Sequence, residues 1–247
     1  MRLYDYFRTE MNGSFKLCFK LMLQHNVLNN LLPMRTGEIS FPVLMFRYFN
    51  VPVTQSVPVL FWFRVLDFHT LLGLGILATT GFLLVPVVSI GLFLLWMLLP
   101  PIMFLAHNRL QASFGLNPDG RIKGLLSTAL KNLPQTWQAF LHAWTWTWLN
   151  WVIKLGVFAW IVLLFLNISI APAVVGAIAG DLTSVLPIHG VAGAGTYEAG
   201  VMAGLIPFHI PPKQALQAAV NLHLFVLVTS LLGGALAFLI SEKRSNE

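Results

Sequence analysis

Two acidic residues lie beside helix-breaking residues in an otherwise apolar chain, and these positions are where the sequence could do chemistry. Glu198 lies within SVLPIHGVAGAGTYEAGVMAGLIP, residues 184–207, and Glu38 lies within LLPMRTGEISFP, residues 31–42. Proline ends a helix, and glycine allows the backbone to turn and to approach a ligand closely. A carboxylate in an apolar segment is costly, so it indicates a function by default.

Two roles for these glutamates are open on the sequence alone. A carboxylate at the start of a helix favours its positive end, so both residues could simply cap the short helices that follow the breaks. Alternatively, they meet the cationic group of a substrate or carry coupling protons. Arg35 could pair with Glu38, or it could hold a phosphate with its fork of donors.

The composition requires a membrane environment for the elements that position these residues. Of 247 residues, 57% are hydrophobic and only 10% are charged. A soluble domain could not bury this much apolar surface. We therefore predict an all-α, polytopic integral membrane protein, a helical bundle that forms a single transmembrane domain over residues 1–247.

Apolar segments long enough to span a bilayer define the helices. We predict spans at about 57–80, 82–106, 142–167 and 215–240. Two further segments, at about 15–32 and 169–186, end at the breaks and are followed by short apolar helices at about 39–49 and 197–207. These four pieces predict two re-entrant or broken hairpins.

Basic residues predict the orientation. The loop 107–141 carries Arg109, Arg121, Lys123 and Lys131 against Asp119 alone, so we place it in the cytoplasm. Counting spans from this loop puts both termini in the cytoplasm. The net charge of +6 then reflects orientation and anionic lipid headgroups, and we expect no nucleic-acid partner.

The two breaks belong to a predicted internal repeat, with repeat 1 at about 15–80, linking spans and the basic loop at about 82–167, and repeat 2 at about 169–240. The matched pairs are Pro33 with Pro187, Glu38 with Glu198, Pro52 with Pro211, and Gln55 with Gln214. Three predicted spans separate the breaks, so the second repeat is inverted. Inverted repeats with broken helices place transporter sites near the middle of the bilayer.

At these motifs the sequence resembles the transmembrane flippase domain of the lysylphosphatidylglycerol synthase/flippase family and its free-standing relatives. The early family element, LP-G-R-x-G-E/D, corresponds to residues 32–38, and the late element, P-x-G-G-x-G-x-R-E, corresponds to residues 187–198. Family members usually carry further helices before the early element, so we expect a short variant. Tyr197 stands where the family has Arg, a role that His189 could take over.

The resemblance implies a flippase-like transporter that moves a phospholipid or lipid-linked intermediate across the bacterial cytoplasmic (inner) membrane. The residues that it implies for substrate binding or gating are Arg35, Gly37, Glu38, His189, Gly193, Gly195, Tyr197 and Glu198, with Pro33 and Pro187 as helix breaks. Membrane lipids are the expected partners. We expect no cofactor, no metal and no catalytic residue.

Two other functions stay open. Asp67 and Asp181 could form an intramembrane aspartyl dyad, although an ion pair of Asp67 with Arg64, one turn earlier, is the simpler interpretation. The sequence has no HExxH or GxSxG motif, so we expect no enzyme. The alternative to transport is a non-catalytic membrane subunit or scaffold for a lipid- or glycan-modifying enzyme, docked through the basic loop.

The remaining aromatic and histidine residues receive simpler interpretations. The tryptophans at 137, 144, 146, 148 and 151 predict an interfacial belt or, alternatively, a surface for a lipid headgroup. His69, His142 and His223 are single residues on apolar helices, and we interpret them as packed or interfacial.

Overall fold

The computed structural model describes residues 1–79, 85–114, 131, 133–185 and 190–241, without the side chains of Arg35 and of a few residues beside the gaps. Within this part of the chain all regular secondary structure is helical, which confirms the all-α class. Four helices are long and apolar enough to cross a membrane. They overlap the four predicted spans and confirm a polytopic membrane protein.

The N-terminal part of the chain forms one hairpin and one spanning helix. Its helices are α1 (Arg2–Tyr6), α2 (Arg8–Met11), α3 (Phe15–Leu31), α4 (Ser40–Phe49) and α5 (Val53–Ala78). A 3₁₀ segment, Pro33–Ile39, separates α3 from α4, and we call it the first break. Leu32 is extended because a residue before proline avoids the helical conformation, which ends α3.

The middle of the chain contributes α6 (Pro86–Met97), α7 (Leu99–Phe114) and α8 (Trp137–Phe165). The span predicted at about 82–106 corresponds to the apolar stretch Pro86–Ala106, which is one of the four helices long enough to cross a membrane and which a turn at Leu98 divides into α6 and the start of α7. The cause is local, because Pro100 and Pro101 follow directly and cannot donate the backbone hydrogen bonds that would continue α6. The side chains along α6 are largely exposed, as expected for a helix that faces lipid.

The C-terminal part repeats the pattern of a short hairpin followed by a long helix. It comprises α9 (Ile170–Val185), α10 (Thr196–Leu205) and α11 (Pro212–Leu239). The segment between α9 and α10 is the second break, of which residues 190–195 are described and contain a 3₁₀ turn, Val191–Gly193. Residues 186–189, including Pro187 and His189, lie outside the described residues.

The two hairpins share several local features. The short helices α4 and α10 are each 10 residues long. At their first residues, Ser40 Oγ donates to the Gly37 carbonyl at 2.6 Å, and Thr196 Oγ1 donates to the Gly193 carbonyl at 3.0 Å. A left-handed residue, Asn50 or His209, comes after each short helix, and the next long helix then has a proline, Pro52 or Pro211, as its N-cap residue.

The packing of the hairpins is reciprocal. The first helix of each unit packs against the last helix of the other, α3 on α11 and α9 on α5, and the two breaks contact each other. These features are the ones expected of the inverted repeat, which stays a prediction. The matched glutamates occupy different places, since Glu38 precedes α4 whereas Glu198 lies in the first turn of α10.

Glycines allow the two helices of the second hairpin, α9 and α10, to pack closely against each other. Gly176 and Gly180 of α9 face Gly200 and Gly204 of α10. A Cβ atom on Gly204 would lie 2.8 Å from the Val175 carbonyl oxygen, so a larger residue does not fit without movement of the backbone. Small residues at a spacing of four allow close helix contact in membranes.

Each short helix is embedded in its own apolar cluster. Phe41, Met45 and Phe49 of α4 are buried in one cluster, and Val201 and Leu205 of α10 are buried in the other. Irregular backbone at membrane depth needs surrounding protein to satisfy and shield it. The two clusters surround the short helices that follow the breaks.

Candidate functional site

A cavity of about 750 Å³ lies beside the second break. Its walls come from α3, α5, α8 and α11, with contributions from α1, α9 and the start of α10. This volume falls within the ~300–1,000 Å³ typical of small-molecule sites. We call it the central cavity.

Many polar side chains line the central cavity. Charged, amide, hydroxyl and imidazole side chains from seven helices reach it: Arg2, Asn26, Asn29, Asn30, Arg64, Asp67, Asn150, Lys154, Asp181, Thr183, Thr196, Tyr197, His223, Thr229 and Ser230. Ionisable residues inside a membrane protein are costly and mark substrate or ion pathways.

Asp67 is the centre of one group of charges. Its Oδ1 accepts hydrogen bonds from Arg2 Nη1 at 2.7 Å and from Trp151 Nε1 at 2.9 Å. Arg64 Nη1 donates to Oδ2 at 3.2 Å, which confirms the predicted ion pair one turn apart. Asp67 is buried, and two arginines offset the cost of keeping its charge there.

Arg64 also joins this group to the first break. Its Nη2 atom lies 2.8 Å from Glu38 Oε1. Glu38 therefore pairs with a cation of the protein, the guanidinium of Arg64 on α5. The first break and the wall of the central cavity are held together by this contact.

Glu198 caps α10 and holds a histidine. Its Oε2 accepts the Gly195 backbone N–H at 2.8 Å, which is the capping contact, one of the two roles left open for this residue. Its Oε1 lies 2.7 Å from His223 Nδ1, and His223 Nε2 lies 2.8 Å from the Ala192 carbonyl oxygen.

The partners of His223 fix the position of its protons. A carbonyl oxygen only accepts, so Nε2 carries hydrogen and donates to Ala192. Nδ1 and the Glu198 carboxyl group must then share one proton. We interpreted His223 as a packed residue; it is buried, but its ring also ties α11 to the second break.

Lys154 and Asp181 form a second ion pair in the central cavity. Lys154 Nζ lies 2.9 Å from Asp181 Oδ2. The same ammonium lies 4.5 Å from the centre of the Trp151 ring and 5.0 Å from that of Phe158, both within cation–π range. The cation of α8 thus sits among one carboxylate and two aromatic rings.

The rim of the central cavity is exposed and carries both apolar and polar side chains. The exposed lining side chains include the apolar residues Phe19, Met22, Phe68, Leu149 and Ile153, from α3, α5 and α8, and the polar residues Asn26, Asn150 and Thr229. In a membrane-spanning bundle the exposed apolar side chains face lipid. The cavity therefore combines charged side chains in its walls with exposed apolar side chains that hydrocarbon can contact.

The structure brings some of the predicted site residues together. Gly193 and Tyr197 line the central cavity, and Glu198 reaches it through His223. Gly195 has a φ of 81°, which suits glycine, and Gly37 packs so closely on α3 that a Cβ atom would overlap the Asn29 backbone.

Other predicted residues lie elsewhere or are not described. Pro33 begins the first break, where its missing N–H costs nothing. The Arg35 side chain, Pro187 and His189 lie outside the described part of the structure. The basic loop that could dock a partner enzyme lies largely outside it as well.

Sequence reasoning missed most of the charged interior. The cavity residues that we did not name as site residues include Arg2, Arg64, Asp67, Lys154, Asp181 and His223. A usable signal existed, because acidic and basic residues within apolar segments indicate function. We had considered Asp67 and Asp181 only as a catalytic dyad, and the structure gives them separate cations.

The tryptophans divide between surface and interior. Trp137 is exposed, as expected of an interfacial belt. Trp151 is buried, and Trp146 donates to Asp5 Oδ2 at 2.6 Å, so a belt does not describe these two residues. Both line the central cavity. His69 stacks on Trp96 as a packed residue, which confirms its interpretation.

The fold and the site define a class, a multi-pass helical membrane protein with two broken hairpins beside a polar cavity. A family model described as "Lysylphosphatidylglycerol synthase TM region" matches residues 2–234, and the chain belongs to this family. Membership links the chain to membrane domains involved in lipid modification or flipping, regions that are often non-catalytic. No curated protein and no solved structure matches the chain.

Proposed function

We propose that this chain is a flippase-like transporter that moves a phospholipid or lipid-linked intermediate across the bacterial cytoplasmic membrane. The observation that carries the proposal is the central cavity, with charged side chains inside and exposed apolar side chains at its rim. A lipid that crosses a bilayer must keep its headgroup in a polar path while its tails stay in hydrocarbon.

The charged groups supply the polar path. Arg2, Arg64 and Lys154 offer donors to a phosphate, and Asp67 and Asp181 offer acceptors to a cationic group. Each carboxylate already has its own cation, so the two do not share a proton as a catalytic dyad would. This arrangement favours binding and transport, and we propose that the chain is not an enzyme.

The two breaks provide the moving parts of the proposed mechanism. Each is tied to a long helix by one glutamate, Glu38 through Arg64 of α5 and Glu198 through His223 of α11. Loss of either contact frees a break that lies next to the other break. We propose that these contacts act as gates for the headgroup.

Lipid scrambling in proteoliposomes tests the proposal. Purified chain is reconstituted with fluorescent phospholipids, and dithionite quenching reports the lipid that reaches the outer leaflet. The wild type should flip lipid, and Glu38→Gln and Glu198→Gln should each slow flipping by about tenfold, equivalent to ~1.4 kcal/mol. Glu10→Gln is the matched control, because Glu10 binds Gln55 away from the cavity.

Two outcomes would contradict this account. If folded wild type moves no phospholipid or lipid-linked probe, the chain is not a flippase, and the alternative of a membrane subunit for a lipid- or glycan-modifying enzyme gains support from any enzyme that co-purifies. If Glu10→Gln slows flipping as much as the other two changes, the effect does not come from the breaks.

A further inference from the structure

The Asp181 carboxylate forms a cation site, and the cation bound there is the ammonium of Lys154. The Lys154 ammonium lies 2.9 Å from the Asp181 carboxylate, beside the Trp151 and Phe158 rings. The Asp181 side chain is only 6% exposed, whereas that of Lys154 is 37% exposed. The carboxylate is therefore fixed in the wall, and the lysine, on a flexible stem, is the partner that can move.

Tyr197 adds an unsatisfied group to the same wall. It is buried and lines the central cavity, and its hydroxyl has no hydrogen-bond partner among the described residues. A buried hydroxyl without a partner costs on the order of 1–3 kcal/mol. A bound ligand that accepts or donates one hydrogen bond would remove this cost.

We infer that the central cavity binds a zwitterionic headgroup that carries both an ammonium and a phosphate. The headgroup ammonium takes the place of the Lys154 ammonium on Asp181, between the two aromatic rings. Lys154 turns to the headgroup phosphate, and the Tyr197 hydroxyl completes its hydrogen bonding with the headgroup. The inference rests on the proposed transport only in taking a membrane lipid as the source of the headgroup.

Charge balance selects a zwitterion over the alternatives. When an ammonium and a phosphate enter together, Asp181 and Lys154 exchange partners and neither stays unpaired. An anionic headgroup would draw Lys154 away and remove from the buried Asp181 carboxylate the ammonium that it contacts. Removing one partner of a buried pair is strongly unfavourable, since it leaves an uncompensated charge.

The surroundings favour a lipid over a soluble zwitterion. Ile153, next to Lys154 on α8, and Leu149, one turn earlier, both line the cavity and are exposed. An acyl chain attached to the headgroup would contact these side chains. A soluble compound of the same headgroup chemistry would leave them uncovered.

Binding of two short-chain lipids to the full chain in a nonionic detergent tests the inference. The probes are dihexanoyl phosphatidylethanolamine and dihexanoyl phosphatidylglycerol, and the readout is the Kd of each. The wild type should bind the zwitterionic lipid about tenfold more tightly. Free phosphoethanolamine should bind more weakly than the lipid, and equally tight binding would overturn the lipid assignment.

Two variants should change the preference for phosphatidylethanolamine over phosphatidylglycerol in opposite directions. Asp181→Asn leaves Lys154 as the only charge of the pair, so phosphatidylglycerol should become the preferred lipid. Lys154→Gln leaves the carboxylate alone, so discrimination against phosphatidylglycerol should increase. The double variant Lys154→Gln/Asp181→Asn carries neither charge and should show no preference between the two lipids. It provides the test if Lys154→Gln alone does not fold. Lys213→Gln, on the exposed start of α11, should behave as the wild type.

The results separate this inference from the proposed function. A wild type without preference, or a preference that no variant changes, overturns the zwitterion site even when lipid flipping is observed. The expected pattern of Kd values without any flipping supports the site and contradicts the transporter.

Discussion

At the scale of single residues, His223 determines how the second break is held. Its two ring nitrogens contact the Glu198 carboxylate on α10 and the Ala192 carbonyl of the break, at 2.7 and 2.8 Å. Glu198 meanwhile caps α10 through the Gly195 N–H. One carboxyl group and one imidazole therefore fix three backbone segments relative to each other.

Substitution of this pair should reveal energetic coupling. Glu198→Gln and His223→Gln each break the same contact, so the double variant should lose less stability than the sum of the two. We expect a coupling energy of about 1–2 kcal/mol, as for contacting residues in one network. Thermal or denaturant unfolding in detergent measures it. Additive effects would show that the 2.7 Å contact contributes nothing.

The sequence predicts the cap that Glu198 forms on α10, but not its contact with His223. The position of Glu198 after a glycine-rich break indicates a cap, because capping depends on neighbours within one helical turn. Its pairing with His223 depends on residues 25 positions apart and on how α10 meets α11. No local pattern encodes such a contact, so a single histidine on an apolar helix gave no sign of it.

At the scale of helices, the close contact of α9 and α10 depends on glycines at their interface. A Cβ atom on Gly200 would lie 2.8 Å from the Ala179 carbonyl oxygen and would overlap the Thr183 side chain. Gly156 of α8 offers a contrast, because a Cβ atom there would meet no atom within 4 Å.

The two glycines should respond differently to alanine. Gly200→Ala should destabilise the protein by about 1–3 kcal/mol, since an overpacked interface has to separate. Gly156→Ala should be neutral or should stabilise by roughly 0.5–1 kcal/mol, because alanine is the better helix former. Melting temperatures of both variants in the same detergent provide the comparison. Equal losses would mean that the α9–α10 contact is not tight.

Helix positions were the most predictable part of the fold. Long apolar runs locate the spanning helices, and proline and glycine locate both breaks, because these signals are local. The structure starts α5 at Val53, α8 at Trp137 and α11 at Pro212, in each case a few residues before the predicted span. The first turns of these helices each contain polar residues, so they lie outside the apolar runs that we used to find the spans.

At the scale of the whole molecule, orientation in the membrane is the next property to establish. We propose that both termini lie in the cytoplasm, which places Lys213 outside and the end of α11 inside. With 28 residues, α11 is roughly 42 Å long, enough to cross a hydrocarbon core of about 30 Å.

Cysteine labelling of intact cells tests this orientation. In a Cys18→Ser background, Lys213→Cys should react with an impermeant maleimide, whereas Ser241→Cys should react only after the cells are permeabilised. The reverse pattern would invert the proposed topology and place the loop 107–141 outside. The two sites flank the same helix, so each serves as the control for the other.

The central cavity could not be predicted from the sequence, although several of its residues could. Gly193 and Tyr197, which line it, and Glu198, which contacts the lining residue His223, were found because they lie in one glycine-rich segment. Asp67 and Lys154 belong to different spans and reach the cavity only through the packing of α5, α8 and α9. Their roles depend on partners that tertiary structure brings together.

The most direct test of the central claim is to block the cavity and measure lipid flipping. Asn26→Cys in the Cys18→Ser background places one thiol on the exposed α3 wall of the central cavity. Scrambling is measured in proteoliposomes before and after reaction with a bulky maleimide, with Lys213→Cys as the control outside the cavity. The account predicts that the adduct at position 26 stops flipping and that the adduct at position 213 does not. Unchanged flipping with position 26 fully modified would contradict the central cavity as the path of the headgroup.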